Sequence, residues 1–190
     1  MDSASQTIPV NWSSATIWVE KISLAAQGKG ALDTIIMVGK KLNIFSADAL
    51  AGVIQLPAGS YKDAKVRLFC RKSPRSEFAL DFKGTFTNSF GVVDSVLVRS
   101  SLPFEANLNV SEIVIGQTDN YKATFNFDLS KMLTGISTKA LEQGGRSSIG
   151  IDGKKLYVIW KGGSADEPFY NQIIQHWQSV ASVVISKAVE

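Results

Sequence analysis

A mainly antiparallel β-sandwich with a C-terminal helix is the fold class that this sequence predicts, on three observations. In the stretch from Tyr61 to Arg71, apolar Val66, Leu68 and Cys70 alternate with basic Lys65, Arg67 and Arg71. This is the period-two pattern of a strand with one buried and one wet face. Short strand-like runs then recur between turn-forming clusters, which points to a sandwich or barrel rather than βαβ units. Past Gly163 the period changes: Ile173, Ile174, Trp177, Val180, Ala181, Val184, Ile185 and Ala188 fall on one helical face.

Taken in order, residues 15–27 read as a long first strand, with Trp18, Ile22, Leu24 and Ala26 of one parity and Glu20 interrupting them. Gly28-Lys29-Gly30 breaks it. Asp33 to Val38 is rich in β-branched side chains and suits a second strand, ended by Gly39. Residues 46–50 suit a short helical turn capped by Ser46. Val53–Leu56 and Tyr61–Arg71 flank a Pro-Ala-Gly-Ser turn as a hairpin or sheet corner, since Pro57 fixes φ and Gly59 tolerates positive φ.

Strands are expected next at Glu77–Thr87, Val92–Arg99, Phe104–Ile115 and Tyr121–Leu129. Phe78, Leu80, Phe82 and Phe86 are in phase in the first; Ala123, Phe125 and Phe127 share a face in the last. Ser130 to Gln143 reads as irregular short helix. Ile149–Trp160 reads as a hairpin, because Asp152-Gly153 between strand-like runs signals a type I′ turn. Ser164 to Glu167 resembles a capping box, opening a helix to about Trp177. Residues 182–189 are β-branched enough to form a strand instead, and both readings stay open. The expected organisation is an N-terminal tether over 1–14 and a single domain over 15–190.

At 190 residues the chain can bury a substantial core, and its 45% hydrophobic and 19% charged content is ordinary for a folded protein. With 20 basic against 17 acidic residues the net charge is +3, too mild for a dedicated nucleic-acid binder. Cys70 is the only cysteine, so intramolecular disulfides and thiolate metal clusters are excluded, and its place on the apolar face suits a buried hydrophobe. No run approaches the roughly 18 apolar residues of a membrane-spanning helix. Residues 1–7 lack the basic and apolar regions of a signal peptide. Either the start is native, or it replaces a removed export signal, and the polar leader fits the tether that follows a lipidated cysteine.

Candidate chemistry is sparse. His176 is the only histidine, which leaves no ordinary histidine metal centre and no Ser-His-Asp triad with an evident orienting acid. Asp81, Glu105 and Asp128 are the strand carboxylates that a glycoside hydrolase would need in a pair; Asp81 is expected to face water and Asp128 to cap the following turn. Gly144-Gly145-Arg146-Ser147-Ser148 lies between helix-like and strand-like segments, the reverse of a phosphate-binding loop. Two binding features remain. Lys65, Arg67 and Arg71 share a face with Phe69, and this stripe could hold an anionic glycan or single-stranded nucleic acid, or could be a solvated face that discourages edge pairing. Among the four tryptophans, Trp12 is the best candidate for an exposed sugar platform.

Asn43-Ile44-Phe45, then Leu56-Pro57-Ala58-Gly59-Ser60-Tyr61 and its alternating strand, resemble a family of uncharacterised bacterial, bacteroidal-type secreted lipoproteins. The Leu-Pro-x-Gly-x-Tyr motif opens a strand in that family. Phe104-Glu105-Ala106-Asn107-Leu108-Asn109-Val110, leading to Ala123–Leu129, follows in the family's order, so the resemblance covers roughly residues 15–130. It implies an exported, lipid-anchored β-sandwich of prealbumin or immunoglobulin-like type, and it supplies no catalytic residues. The segment after Gly163 departs from it, and the lipidation cysteine is not in the chain.

The expected function is a non-catalytic cell-envelope protein that binds or assembles at the cell surface, with no cofactor and no metal. Its expected partner is a surface glycan or another envelope protein, not nucleic acid, and membrane contact comes only through a lipid anchor outside this chain. A carbohydrate-binding module of a polysaccharide-utilisation system is one alternative, and a two-carboxylate glycoside hydrolase is the other.

Overall fold

Long alternating runs pair on both edges of β1 (Asn11–Gln27), the spine of the larger sheet. The structure, a computed structural model, describes residues 7–28, 32–46, 53–54, 58–73, 78–116, 121–161 and 168–187. On one edge of β1 lies β2 (Leu32–Asn43). On the other edge β4 (Gly59–Cys70) pairs with residues 19–27 and β5 (Leu80–Thr87) with residues 11–17, end to end. Trp18 joins them: its carbonyl accepts the N–H of Arg71 (3.2 Å) and its N–H donates to the Ala79 carbonyl (2.9 Å). Beyond β4 lies β7 (Phe104–Ile115); beyond β5 lie β6 (Val93–Ser100), β10 (Lys155–Lys161) and β9 (Arg146–Ile149). Among the described pairings only β6 with β10 is parallel.

A smaller sheet, β11 (Ala181–Lys187), β8 (Tyr121–Phe127) and β3 (Val53–Ile54), packs against the larger one to make the sandwich. Helix α1 (Thr138–Gly144) and a 3-10 turn over Leu129–Lys131 follow β8, and α2 (Tyr170–Val180) leads into β11. The core is the sum of the apolar parities: Ile17, Ile22, Leu24, Leu68, Leu80 and Phe82 from one sheet, Ala123 and Phe125 from the other. Trp177 of α2 is fully buried between them, with ring centroids 5.1 Å from Phe104, 5.7 Å from Phe127 and 6.1 Å from Phe82.

Several boundaries differ from the sequence expectations, each for a physical reason. The first strand starts at Asn11, and the segment expected as a tether to residue 14 is built into the fold from Ile8, which is buried and donates its N–H to Ile136 (2.9 Å). Within β1 the inward parity switches from Ala15, Ile17 and Val19 to Ile22, Leu24 and Ala26. A β-bulge at Glu20 causes the switch, two residues of β1 standing against one step of β4. Trp18 therefore lies outside the inward series to which parity assigned it. Gly39 does not end β2: it adopts φ +58° where β2 carries an extra residue relative to β1, and the strand runs on to Asn43.

The turn before Tyr61 is a corner between sheets rather than a hairpin, since β3 belongs to the smaller sheet and β4 to the larger. Pro57 and residues 47–50 lie outside the described residues, as does the capping box at 164–167. The Asp-Gly hairpin forms, but over residues 150–154. Only Gly153 among them has positive φ (+76°), whereas a type I′ turn needs it at both central residues. Helix α2 starts later than expected, at Tyr170, and of the tail left open residues 182–187 belong to strand β11, while 188 and 189 lie outside the described residues.

Candidate functional site

The outward parities of β2, β1, β4 and β7 make one solvent-facing surface. Their register sets up three cross-strand rows: Asp33–Ala25–Lys65–Asn109, Ile35–Ser23–Arg67–Asn107 and Met37–Lys21–Phe69–Glu105. Three residues of the predicted stripe, Lys65, Arg67 and Phe69, therefore meet in the middle of a four-strand face. Lys65 and Arg67 are exposed and Phe69 is half-buried, with Lys21 Nζ 4.7 Å above its ring. This cation–π contact occupies one face of the aromatic. Arg71 sits at the end of the stripe and pairs with Glu20 at the β1 bulge (3.1 Å).

Between β4 and β7 the surface dips into a shallow hollow of about 350 Å³ lined by Lys65, Arg67, Glu105, Asn107, Leu108 and Asn109. Its walls offer a guanidinium fork, an ammonium, two amides and a carboxylate. Such a set can hydrogen-bond hydroxyl and carboxylate groups of a polar ligand. Sequence reasoning missed Lys21, Asn107 and Asn109 as site residues, and it singled out Glu105 only as one of a possible carboxylate pair. The polar series Glu105, Asn107, Asn109 alternating with Ala106 and Leu108 was a visible signal, but only the strand register shows that it lies beside the basic stripe.

Trp12 is placed elsewhere and does another job. Its indole Nε1–H donates to the Leu129 carbonyl (3.2 Å), and its ring meets Phe82 edge-on at 6.0 Å. Gly84 makes room for it: a Cβ there would stand 3.0 Å from the indole and 2.5 Å from Val10. The expected sugar platform at Trp12 is thus a half-buried packing residue beside a cleft of about 800 Å³ that Ile8, Val10, Phe86 and Leu133 also line. Trp160 is the tryptophan that faces water; it stands next to Arg99 in register, and Arg99 stacks over Phe78 at 4.7 Å.

No family model, curated protein or solved structure matches the chain. Its chemistry is read from its own side chains. Asp81 does point outward, where Arg99 Nε donates to it (2.8 Å). Asp128 caps the 3-10 turn, accepting from Ser130 N–H (3.2 Å) and Ser130 Oγ–H (2.5 Å). Those Ser130 bonds and the neighbouring Lys131 hold its carboxyl below the usual aspartate range. Glu105 stands on β7, in the hollow. Gly144 and Gly145 connect α1 to β9, and Cys70 is buried, which pushes its thiol far above the usual range.

The two flanks of this face are unlike. On β7 two of the backbone groups left by β4 are taken up by one side chain of α2: Asn107 N–H donates to Gln178 Oε1 (2.8 Å), and Gln178 Nε2 donates to the Glu105 carbonyl (2.7 Å). On β2, β1 is the only paired strand among the described residues. Ile35 and Met37 project from this edge strand with 59% and 68% of their surface exposed.

Proposed function

We propose that this chain is a non-catalytic bacterial cell-envelope domain of the lipoprotein-like kind that its sequence resembles, working by assembly at the cell surface. The observation that carries the reading is the outer edge of β2, a 12-residue strand that pairs with β1 alone among the described residues and carries outward Ile35 and Met37. A long edge with exposed apolar side chains is a template for another strand unless something covers it. Its charges favour a second copy as that strand. Two β2 strands paired antiparallel about Met37 set Asp33 of each against Lys41 of the other, a self-complementary two-fold contact. Sedimentation velocity over a concentration series tests this. The wild type is expected to dimerise as concentration rises and Ile35→Lys/Met37→Lys to stay monomeric; a wild type that stays monomeric at the highest concentration contradicts it.

The hollow beside Arg67 favours a second reading, a surface-glycan binder. Here Lys65, Arg67, Asn107 and Asn109 would grip hydroxyl and carboxylate groups, with the half-covered Phe69 next to Lys21 and Glu105 in the neighbouring row. A glycan array probed with wild type and with Arg67→Ala/Asn107→Ala separates the readings. Glycan signals lost in the variant favour the binder, and their absence in the wild type removes it.

A further inference from the structure

Strand β10 has an apolar outward series. Leu156, Val158 and Trp160 alternate with buried Tyr157 and Ile159, so they lie on the outer face of the large sheet, and Trp160 keeps 38% of its surface exposed. Strand β5 turns Asp81 to the same face, between buried Leu80 and Phe82, and β6 turns Arg99 there, between buried Val98 and Ser100. Register lines the three up: Asp81 is the Cα partner of Arg99, and Arg99 that of Trp160, in steps of about 5 Å. An exposed indole thus stands one strand from a guanidinium and two from a carboxylate.

Asp81 and Arg99 are held in place and only partly engaged. Arg99 Nε donates to Asp81 Oδ1 (2.8 Å), and the guanidinium carbon lies 4.7 Å from the centre of the Phe78 ring. These two contacts orient the guanidinium plane. They leave both Arg99 Nη groups and Asp81 Oδ2 without a hydrogen-bond partner among the described residues. With 33% and 30% of the two side chains exposed, those atoms are within reach of a ligand.

We propose that this row is a binding site for a neutral pyranoside, with a sugar ring packed on the Trp160 indole and neighbouring hydroxyls on Arg99 and Asp81. A pyranose shows C–H groups on its faces and hydroxyls around its rim. The faces need flat apolar surface, and the rim needs donors and acceptors close beside it. The row supplies both. Within it the charges of Asp81 and Arg99 cancel, and a hydroxyl can donate to one and accept from the other, whereas a carboxylate would meet Asp81 as a like charge. Because the guanidinium is already oriented, little side-chain freedom is lost on binding. The site rests on the glycan-binding reading for its class of ligand, but it shares no residue with the hollow beside Arg67 or with the β2 edge.

Affinity electrophoresis through gels containing mannan, amylopectin, mixed-linkage β-glucan or polygalacturonate tests it, with wild type, Trp160→Ala, Asp81→Ala and Arg67→Ala/Asn107→Ala. At least one neutral polysaccharide is expected to retard the wild type. The apparent affinity should fall at least about tenfold in Trp160→Ala and in Asp81→Ala, and stay unchanged in Arg67→Ala/Asn107→Ala. Circular dichroism melts check that each variant folds. No retardation of the wild type by a neutral polysaccharide overturns the proposal, as does equal retardation of Trp160→Ala or of Asp81→Ala. Retardation by polygalacturonate alone overturns it too, since the ligand is then anionic. Retardation lost in Arg67→Ala/Asn107→Ala but kept in Trp160→Ala overturns this site while upholding the hollow.

Discussion

Trp177 shows how one residue ties the helix to both sheets. Its ring touches Phe82, Phe104 and Phe127, yet its indole N–H is buried without a hydrogen-bond partner among the described residues. Packing, not polarity, is what it contributes. Trp177→Ala is expected to cost about 3–5 kcal/mol in urea unfolding through the cavity it leaves. Trp177→Phe should cost clearly less, since it removes an unpaired buried donor while keeping an aromatic ring. Equal losses for both would contradict this. Asp128 gives a second test. Its folded carboxyl is held below the unfolded value, so its contribution is full above the ordinary aspartate range and is lost as pH falls through the folded pKa. The stability difference between wild type and Asp128→Asn should therefore shrink on acidification below about pH 4, read from melting temperatures across pH.

Among the elements, the bulges decide what sequence periodicity could and could not reveal. Within β5 and β8, and in β4 from Ala64 onward, the inward residues follow period two, and Leu80, Phe82, Phe86, Ala123, Phe125, Val66, Leu68 and Cys70 were legible from alternation alone. In β1 the bulge at Glu20 changes the phase midway, so no single parity describes the strand and Trp18 was misplaced. Gly39 reads as a strand breaker in sequence because glycine weakens strands, but here it supplies the left-handed residue of a bulge. Gly39→Ala tests that role cleanly, since an added Cβ meets nothing within 4 Å and only the backbone is strained. A loss of about 1 kcal/mol in chemical denaturation is expected; no change would mean that the positive φ is not needed. The strand fate of residues 181–187 was undecidable locally, because only pairing with β8 distinguishes β-branched helix from strand.

For the whole molecule, the candidate site was half legible. Lys65, Arg67 and Phe69 were found because one strand carries them. Their neighbours Lys21, Glu105 and Asn107, and the flanking Ile35 and Met37, come from strands remote in sequence, and register alone brings them together. The same topology gives the molecule two unlike flanks, β7 with two backbone groups held by Gln178 and β2 with β1 as its one described partner. The proposed assembly rests on that asymmetry, and hydrogen–deuterium exchange of residues 32–43 at low and high protein concentration addresses it most directly. Backbone amides on the outer edge of β2 should exchange quickly in dilute solution and slow by at least about tenfold on concentration, with no such change in Ile35→Lys/Met37→Lys. Exchange along β2 that is the same at both concentrations would contradict assembly through this edge.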